Sequence, residues 1–274
     1  MQEIVHCMTT FFISSSQNPK IKKLTLLQQK SSERRACGLF VTEGKRELRH
    51  CMEAGLKVDS VFYCPSFLGK GEDTDILTKL DGETSLYEVS EDVYNKIAYR
   101  ESTEGIIAEV VTPHNTLEDL RLKENPLIAV LESVEKPGNL GAVLRSADAA
   151  GADALIVCDP LTDLYNPNLI RSSVGGIFTV PCVACESSEC IDFLKKRHIQ
   201  ILTAQLQDSR LYYDTDMKCG TAIVMGTEST GLSDVWRKAA DAHIRIPMLG
   251  RIDSLNVSVS AAILLFEAVR QRND

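Results

Sequence analysis

The stretch TAIVMGTESTGLS at 221–233, followed after a helix-like spacer by IRIPMLGRIDSLNVSVS at 244–260, decides how this chain reads. Two short apolar strands, expected at 222–225 and 243–246, each run into a turn containing Gly or Pro. A Ser-Leu-Asn segment at 254–256 then opens a long apolar helix expected over 254–272. Gly226, Gly231 and Gly250 are points where a ligand can approach the backbone closely. Glu228, Ser254 and Asn256 add polar contacts, so these loops read as one pocket.

Working outward, strands are expected at 127–131, 154–157, 178–180 and 200–204, with helices at 140–150, 168–173 and 188–197. Short, mostly apolar strands alternating with helices imply a mainly parallel sheet covered on both faces. Residues 112–126 carry two prolines and mixed charge and read as a linker, with one helical turn or more possible at 117–122. Before it, strands at 38–42, 58–64, 85–89 and 106–111 alternate with helices from Pro19, at 45–54 and at 91–98. The Ser/Asn/Pro cluster ahead of Pro19 reads as a helix entry, and Ile21, Leu24 and Leu27 form its apolar stripe. The expected organisation is an α/β domain at 1–111, a linker at 112–126 and a second α/β domain at 127–274.

Composition fits a globular protein: 274 residues, 44% hydrophobic, 25% charged. The net charge of -8 argues against a generally basic coat for nucleic acid. Yet Lys20 to Arg49 holds nine Lys and Arg against three Glu, a local +6. That segment fits either a solvated helix face or a docking face for a polyanion. Nine cysteines are scattered without a framework, which fits reduced thiols in a cytoplasmic protein. Cys182 and Cys185 have a metal-like spacing but no second pair follows, so no metal is expected. No apolar run reaches membrane-span length, and the N-terminus lacks the pattern of a signal peptide.

Three clusters carry candidate chemistry. The first is EKPGNLGAVLRSADAAG at 135–151, where Pro137-Gly138-Asn139 opens a helix after a strand and Arg145 lies further along it. Strand C-termini and the adjoining helix N-termini are where α/β proteins bind ligands. The second, GTESTG at 226–231, lacks the Lys and spacing of a phosphate loop. The third is Ile246-Pro247-Met248 with Ser254-Leu255-Asn256, where Ser254 also fits a plain helix N-cap.

Together these clusters, in this order from about Leu127 onward, resemble the SpoU (TrmH-type) RNA ribose methyltransferases of the SPOUT superfamily. NLGAVLR fits the first family motif, MGTESTGLS the second, and IPM with SLNVSVS the third. One departure is Ser260, where Ala is more usual. The segments ISSSQNPKIK and FVTEGKR look like the substrate-binding domain that precedes many such enzymes.

The resemblance implies a parallel sheet with a deep trefoil knot, homodimers, and methyl transfer from S-adenosylmethionine to a ribose 2′-hydroxyl. Asn139, Arg145, Glu228, Ser254 and Asn256 fall on the family's functional positions. The cofactor is expected against Ala204, Met225, Gly226, Ile246, Met248 and Leu255. Guanidinium stays protonated, so Arg145 is read as a phosphate and alkoxide partner rather than a base, with Glu228 orienting it or Asn139. The basic segment then reads as an RNA-docking face formed by Lys20, Lys22, Lys23, Arg34, Arg35, Lys45 and Arg46. Ribosomal RNA is the expected substrate. A tRNA substrate, or a non-catalytic RNA-binding or ribosome-assembly role on the same scaffold, is the alternative.

Overall fold

The computed structural model describes residues 10–69, 72–99, 104–227 and 230–273. Contacts divide the chain into two units, residues 1–113 with Tyr165–Pro167, and residues 114–164 with 168–274.

The first unit is built on five strands: β1 (Thr10–Ile13), β2 (Leu39–Glu43), β3 (Val58–Tyr63), β4 (Ser85–Val89) and β5 (Ile106–Val111). Their order is β1-β4-β3-β5-β2. β4 pairs parallel with β1 and β3, while β5 pairs antiparallel with β3 and β2. The helices are α1 (Pro19–Gln29), α2 (Ser31–Cys37), α3 (Lys45–Glu53), α4 (Pro65–Leu68) and α5 (Glu91–Ile97). α1 starts where expected: the Asn18 side chain accepts from the Lys20 amide at 2.9 Å, and Ile21, Leu24 and Leu27 are buried. The residues just before that entry hold an edge strand, β1, which the polar cluster after it conceals.

The second unit carries seven strands among the described residues: β6 (Leu127–Glu132), β7 (Ala154–Cys158), β8 (Cys182–Cys185), β9 (Gln200–Ala204), β10 (Arg210–Leu211), β11 (Thr221–Met225) and β12 (Ala242–Arg245). Their order is β10-β12-β9-β11-β6-β7-β8, and every pairing is parallel. β6, β7 and β11 are buried along their whole lengths, as a parallel sheet covered on both faces requires. The helices are α6 (Pro137–Ala149), α7 (Pro167–Ser173), α8 (Gly176–Thr179), α9 (Ser187–Lys196), α10 (Asp234–Ala239) and α11 (Val257–Asn273). α9 and α10 cover one core, with Phe193, Leu194 and Trp236 against Ile128, Val130, Ile156 and Val224. α6 and α11 pack on each other, and α11 also packs on β6 and β11.

Three expectations differ from the structure. Of the segment read as a linker, residues 114–126 group with the second unit: Leu117 and Leu120 join its core, and Thr116 with Asp119 forms a capping box around a single 3₁₀ turn. Its polar composition masked two leucines that burial holds in place. Of the strand expected at 178–180, Phe178 and Thr179 are helical, because Gly175, with φ of 87°, turns the chain into α8, and Val180 is its extended cap. The strand begins only after Pro181, whose carbonyl accepts from the Leu155 amide at 2.9 Å. The last helix starts at Val257, not at residue 254. Asn256 is its cap, its Oδ1 accepting from the Ser258 amide at 3.0 Å, so Ser254 lies outside the helix.

α6 and α7 approach so closely that a Cβ on Gly141 would lie 2.7 Å from the Ser173 backbone nitrogen. Gly to Ala inside a helix ordinarily stabilises by about 1 kcal/mol. Gly141→Ala should instead destabilise by about 1–3 kcal/mol through overpacking. A urea titration measures the sign, and a raised midpoint would show that the helices separate freely.

Candidate functional site

Strands β9, β12 and β11 are parallel neighbours, so their C-terminal ends open onto one rim. The loops leaving them enclose a cavity of about 320 Å³, within the range of small-molecule sites. Ala204, Met225, Gly226, Ile246, Met248 and Leu255, which come from three separate segments, all line it, as do Ser254 and Ser260. The lining also includes Thr227, Thr230 and Leu232 of the second motif, together with Gln205 and Arg237, which lie outside the motifs. For Gln205, its position just past the C-terminus of β9 was the available signal. The Arg237 Nε is buried and finds no acceptor among the described residues. The residue adds a cationic side chain to the cavity wall.

The second motif forms a tight loop. The Thr230 amide donates to Thr227 Oγ1 at 3.0 Å and the Gly231 amide to the Thr227 carbonyl at 3.1 Å. A Cβ on Gly226 would lie 2.6 Å from the Leu232 amide nitrogen. The backbone therefore crosses itself where only glycine fits, which leaves main-chain groups rather than side chains at the cavity. Glu228 lies outside the described residues. Behind the loop, buried Glu132 accepts from both the amide and the hydroxyl of Ser233. That anchor holds the N-terminus of α10, and with it Arg237.

A polar pair sits at the start of α6 and α11. Asn256 Nδ2 donates to Asn139 Oδ1 at 3.1 Å, while Asn256 Oδ1 accepts from Ser258. Asn256 thus has both its amide groups engaged, one capping a helix and one orienting Asn139. Arg145 lies six residues beyond Asn139 on α6, about 9 Å of helix rise. It is exposed.

The basic residues of the first unit do not form a uniform face. Arg34, expected to meet RNA, is only 4% exposed, and its guanidinium donates to the Leu27 carbonyl at 2.6 Å. It is a structural clamp between α1 and α2. Lys23 pairs with buried Glu109 at 2.7 Å, Lys45 donates to the Leu68 carbonyl at 2.5 Å, and Arg46 pairs with buried Glu47 at 2.8 Å. Lys20, Lys22 and Arg35 are exposed, as Arg46 largely is.

Residues 126–266 match the model of the SpoU rRNA Methylase family, and residues 18–108 match the MRM3-like substrate binding domain. The chain is 30% identical to the 23S rRNA (guanosine(2553)-2′-O)-methyltransferase RlmP of Bacillus subtilis, over 93% of this chain and 97% of that protein. A crystal structure of an RNA 2′-O ribose methyltransferase superposes with a TM-score of 0.82 at 39% identity, covering 96% of this chain and 100% of the other. The methyltransferase AviRb of Streptomyces viridochromogenes, solved with AdoMet, gives 0.87 at 28% identity, covering 94% and 99%.

Truncating Arg34 separates its structural role from the RNA-docking role expected of it. Arg34→Ala should lose about 1.5–3 kcal/mol of stability, the usual weight of hydrogen bonds from a charged group. Lys22→Ala, at an exposed position, should stay within about 0.5 kcal/mol of wild type. Thermal unfolding of both variants checks this, and a neutral Arg34→Ala would restore Arg34 to the docking face.

Proposed function

Because the chain belongs to the SpoU rRNA methylase family, we propose that it is an S-adenosylmethionine-dependent methyltransferase modifying a ribose 2′-hydroxyl of ribosomal RNA. The observation that carries this reading is the convergence of loops after β9, β11 and β12 on one cavity whose wall includes the Gly226–Leu232 backbone crossing. Ribosomal RNA is favoured over tRNA because the N-terminal unit matches a substrate-binding domain and the full-length relative is named for 23S rRNA.

The cavity suits S-adenosylmethionine. Ile246, Met248 and Leu255 offer apolar walls for a purine and a thioether chain. Backbone groups around Met225 and Gly226 offer hydrogen bonds, and Arg237 offers its buried donor to a carboxylate. When bound, this cofactor supplies an electrophilic sulfonium methyl. The chain's own residues must align the ribose and stabilise its oxygen as the proton leaves. Asn139, held by Asn256, and Ser254, in the cavity wall, would orient the sugar. Alignment of this kind can contribute on the order of 7–11 kcal/mol.

Arg145 cannot serve as a base, because guanidinium stays protonated. In this reading it binds a substrate phosphate and stabilises the developing alkoxide. Its distance along α6 from Asn139 supports a homodimer in which one subunit's Arg145 completes the other's site. Glu228 would orient Arg145 or Asn139. The family's trefoil knot belongs to the same proposal, with residues 246–256 as the tucked segment. Lys20, Lys22, Arg35 and Arg46 form the exposed part of the RNA-docking face, and a cytoplasmic location fits reduced thiols. No helix among the described residues is long and apolar enough to cross a membrane.

Calorimetry with S-adenosylmethionine should show saturable binding to the wild type and at least about tenfold weaker binding to Gly226→Ala. Arg145→Ala should bind the cofactor normally yet lose about 10²–10³-fold in transfer to ribosomal RNA, and Arg145→Lys should not restore it. A wild type that ignores the cofactor would end the enzymatic reading. A fully active Arg145→Lys would end the role given to the guanidinium.

A further inference from the structure

Away from this cavity, three cysteine sulfurs meet. Cys158 ends β7 and Cys185 ends β8, and the two are register partners across a parallel pairing. Side chains at paired positions project from the same face of a sheet. Cys190 lies in the first turn of α9, which packs against β7. All three sulfurs lie within 4.8 Å of one another. Cys158 and Cys190 are fully buried, while Cys185 is partly exposed. The spacing 158, 185, 190 follows no linear metal motif. The Cys182-to-Cys185 pair that the sequence suggests is not the one that assembles, because Cys182 alternates to the other side of β8.

The arrangement suits a cation better than a disulfide. A disulfide needs two sulfurs at about 2.05 Å and would leave the third without a role. Zinc–sulfur bonds of about 2.3 Å place the sulfurs of one site about 3.8–4.0 Å apart, which this cluster reaches by small rotations of side chains already converged. No carboxylate oxygen or imidazole nitrogen joins the three sulfurs as a candidate ligand among the described residues, so the donor set is purely soft.

We propose that Cys158, Cys185 and Cys190 form a three-thiolate site for one thiophilic d¹⁰ cation, Zn²⁺ or Cu⁺, with the open side at Cys185. Each sulfur–metal bond forms as its thiol releases a proton to solvent, with no change in oxidation state, so binding strengthens as pH rises. Zn²⁺ would take a water on the open side, whereas Cu⁺ is satisfied by three sulfurs. The bound ion would pin the ends of two strands to the first turn of α9, independently of methyl transfer.

A reporter is built in. Trp236, the single tryptophan of the chain, donates to Ser187 Oγ at 2.9 Å, and Ser187 Oγ donates to Asp159 Oδ2 at 2.6 Å. Ser187 stands between Cys185 and Cys190, and Asp159 follows Cys158.

The test uses the full chain, reduced and stripped with chelator, titrated with Cd²⁺ as spectroscopic probe and separately with Zn²⁺ and Cu⁺. One equivalent of Cd²⁺ should produce a thiolate-to-metal charge-transfer band and alter Trp236 fluorescence. Cys185→Ser, partly exposed and so safe for folding, should weaken binding about tenfold or more. Cys158→Ser and Cys190→Ser should do the same, and Cys37→Ser should not. Competition against chromophoric chelators then assigns Zn²⁺ or Cu⁺. Absence of the band at one equivalent, or its survival undiminished in Cys185→Ser, would overturn the site. So would loss of two hydrogens on mild peroxide treatment in a protein that binds none of the three ions, since the cluster would then be a dithiol pair.

Discussion

Parallel pairing is the constraint from which the second unit follows. Strands that all run the same way cannot be joined by hairpins, so each must return by a crossover, and helices come to cover both faces. The strands between them must then be apolar on both sides, as β6, β7 and β11 are. Parallelism also gathers every strand's C-terminus, and the loop leaving it, onto one rim. The cavity lies on that rim because residues far apart in sequence, such as Ala204, Gly226 and Leu255, have no other place to go.

Close backbone approach is the second requirement. Gly226 lets the loop after β11 fold back onto Leu232, and Gly141 lets α6 seat against α7. These glycines give up side-chain packing and backbone entropy. The neighbourhood compensates with buried anchors: Glu132 on Ser233, and Trp236 on Ser187. The Asn256 side chain serves two ends: its Oδ1 caps α11 and its Nδ2 fixes the Asn139 side chain at the head of α6.

Charge is divided between structure and surface in the first unit. A stretch that is basic by count turns out to hold four cations with internal partners. Apart from those four, the exposed cations of the stretch are Lys20, Lys22, Lys30, Arg35 and Arg49. Counting charges overstates a docking face whenever buried carboxylates such as Glu47 and Glu109 must be neutralised from within.

Much was legible before any coordinates. Apolar runs bounded by turn residues placed the strands at 85–89, 106–111 and 200–204 at their observed limits, because those signals are local. Met225, Gly226, Ile246, Met248 and Leu255, which line the cavity, lie within the quoted motifs. What went unread depended on distant partners. Leu117 and Leu120 are core residues only because a sheet waits beneath them, and Arg34 is a clamp only because the Leu27 carbonyl faces it. The meeting of Cys158, Cys185 and Cys190 requires two strands in register and a helix laid across them. Sequence alone determined most of the buried strands, which loops carry polar and small residues, and which family the motifs resemble, since each is written in neighbours along the chain. Tertiary structure alone decided which cations are free, which thiols converge and which side chains share a cavity, since those follow from distances through space that no local pattern encodes.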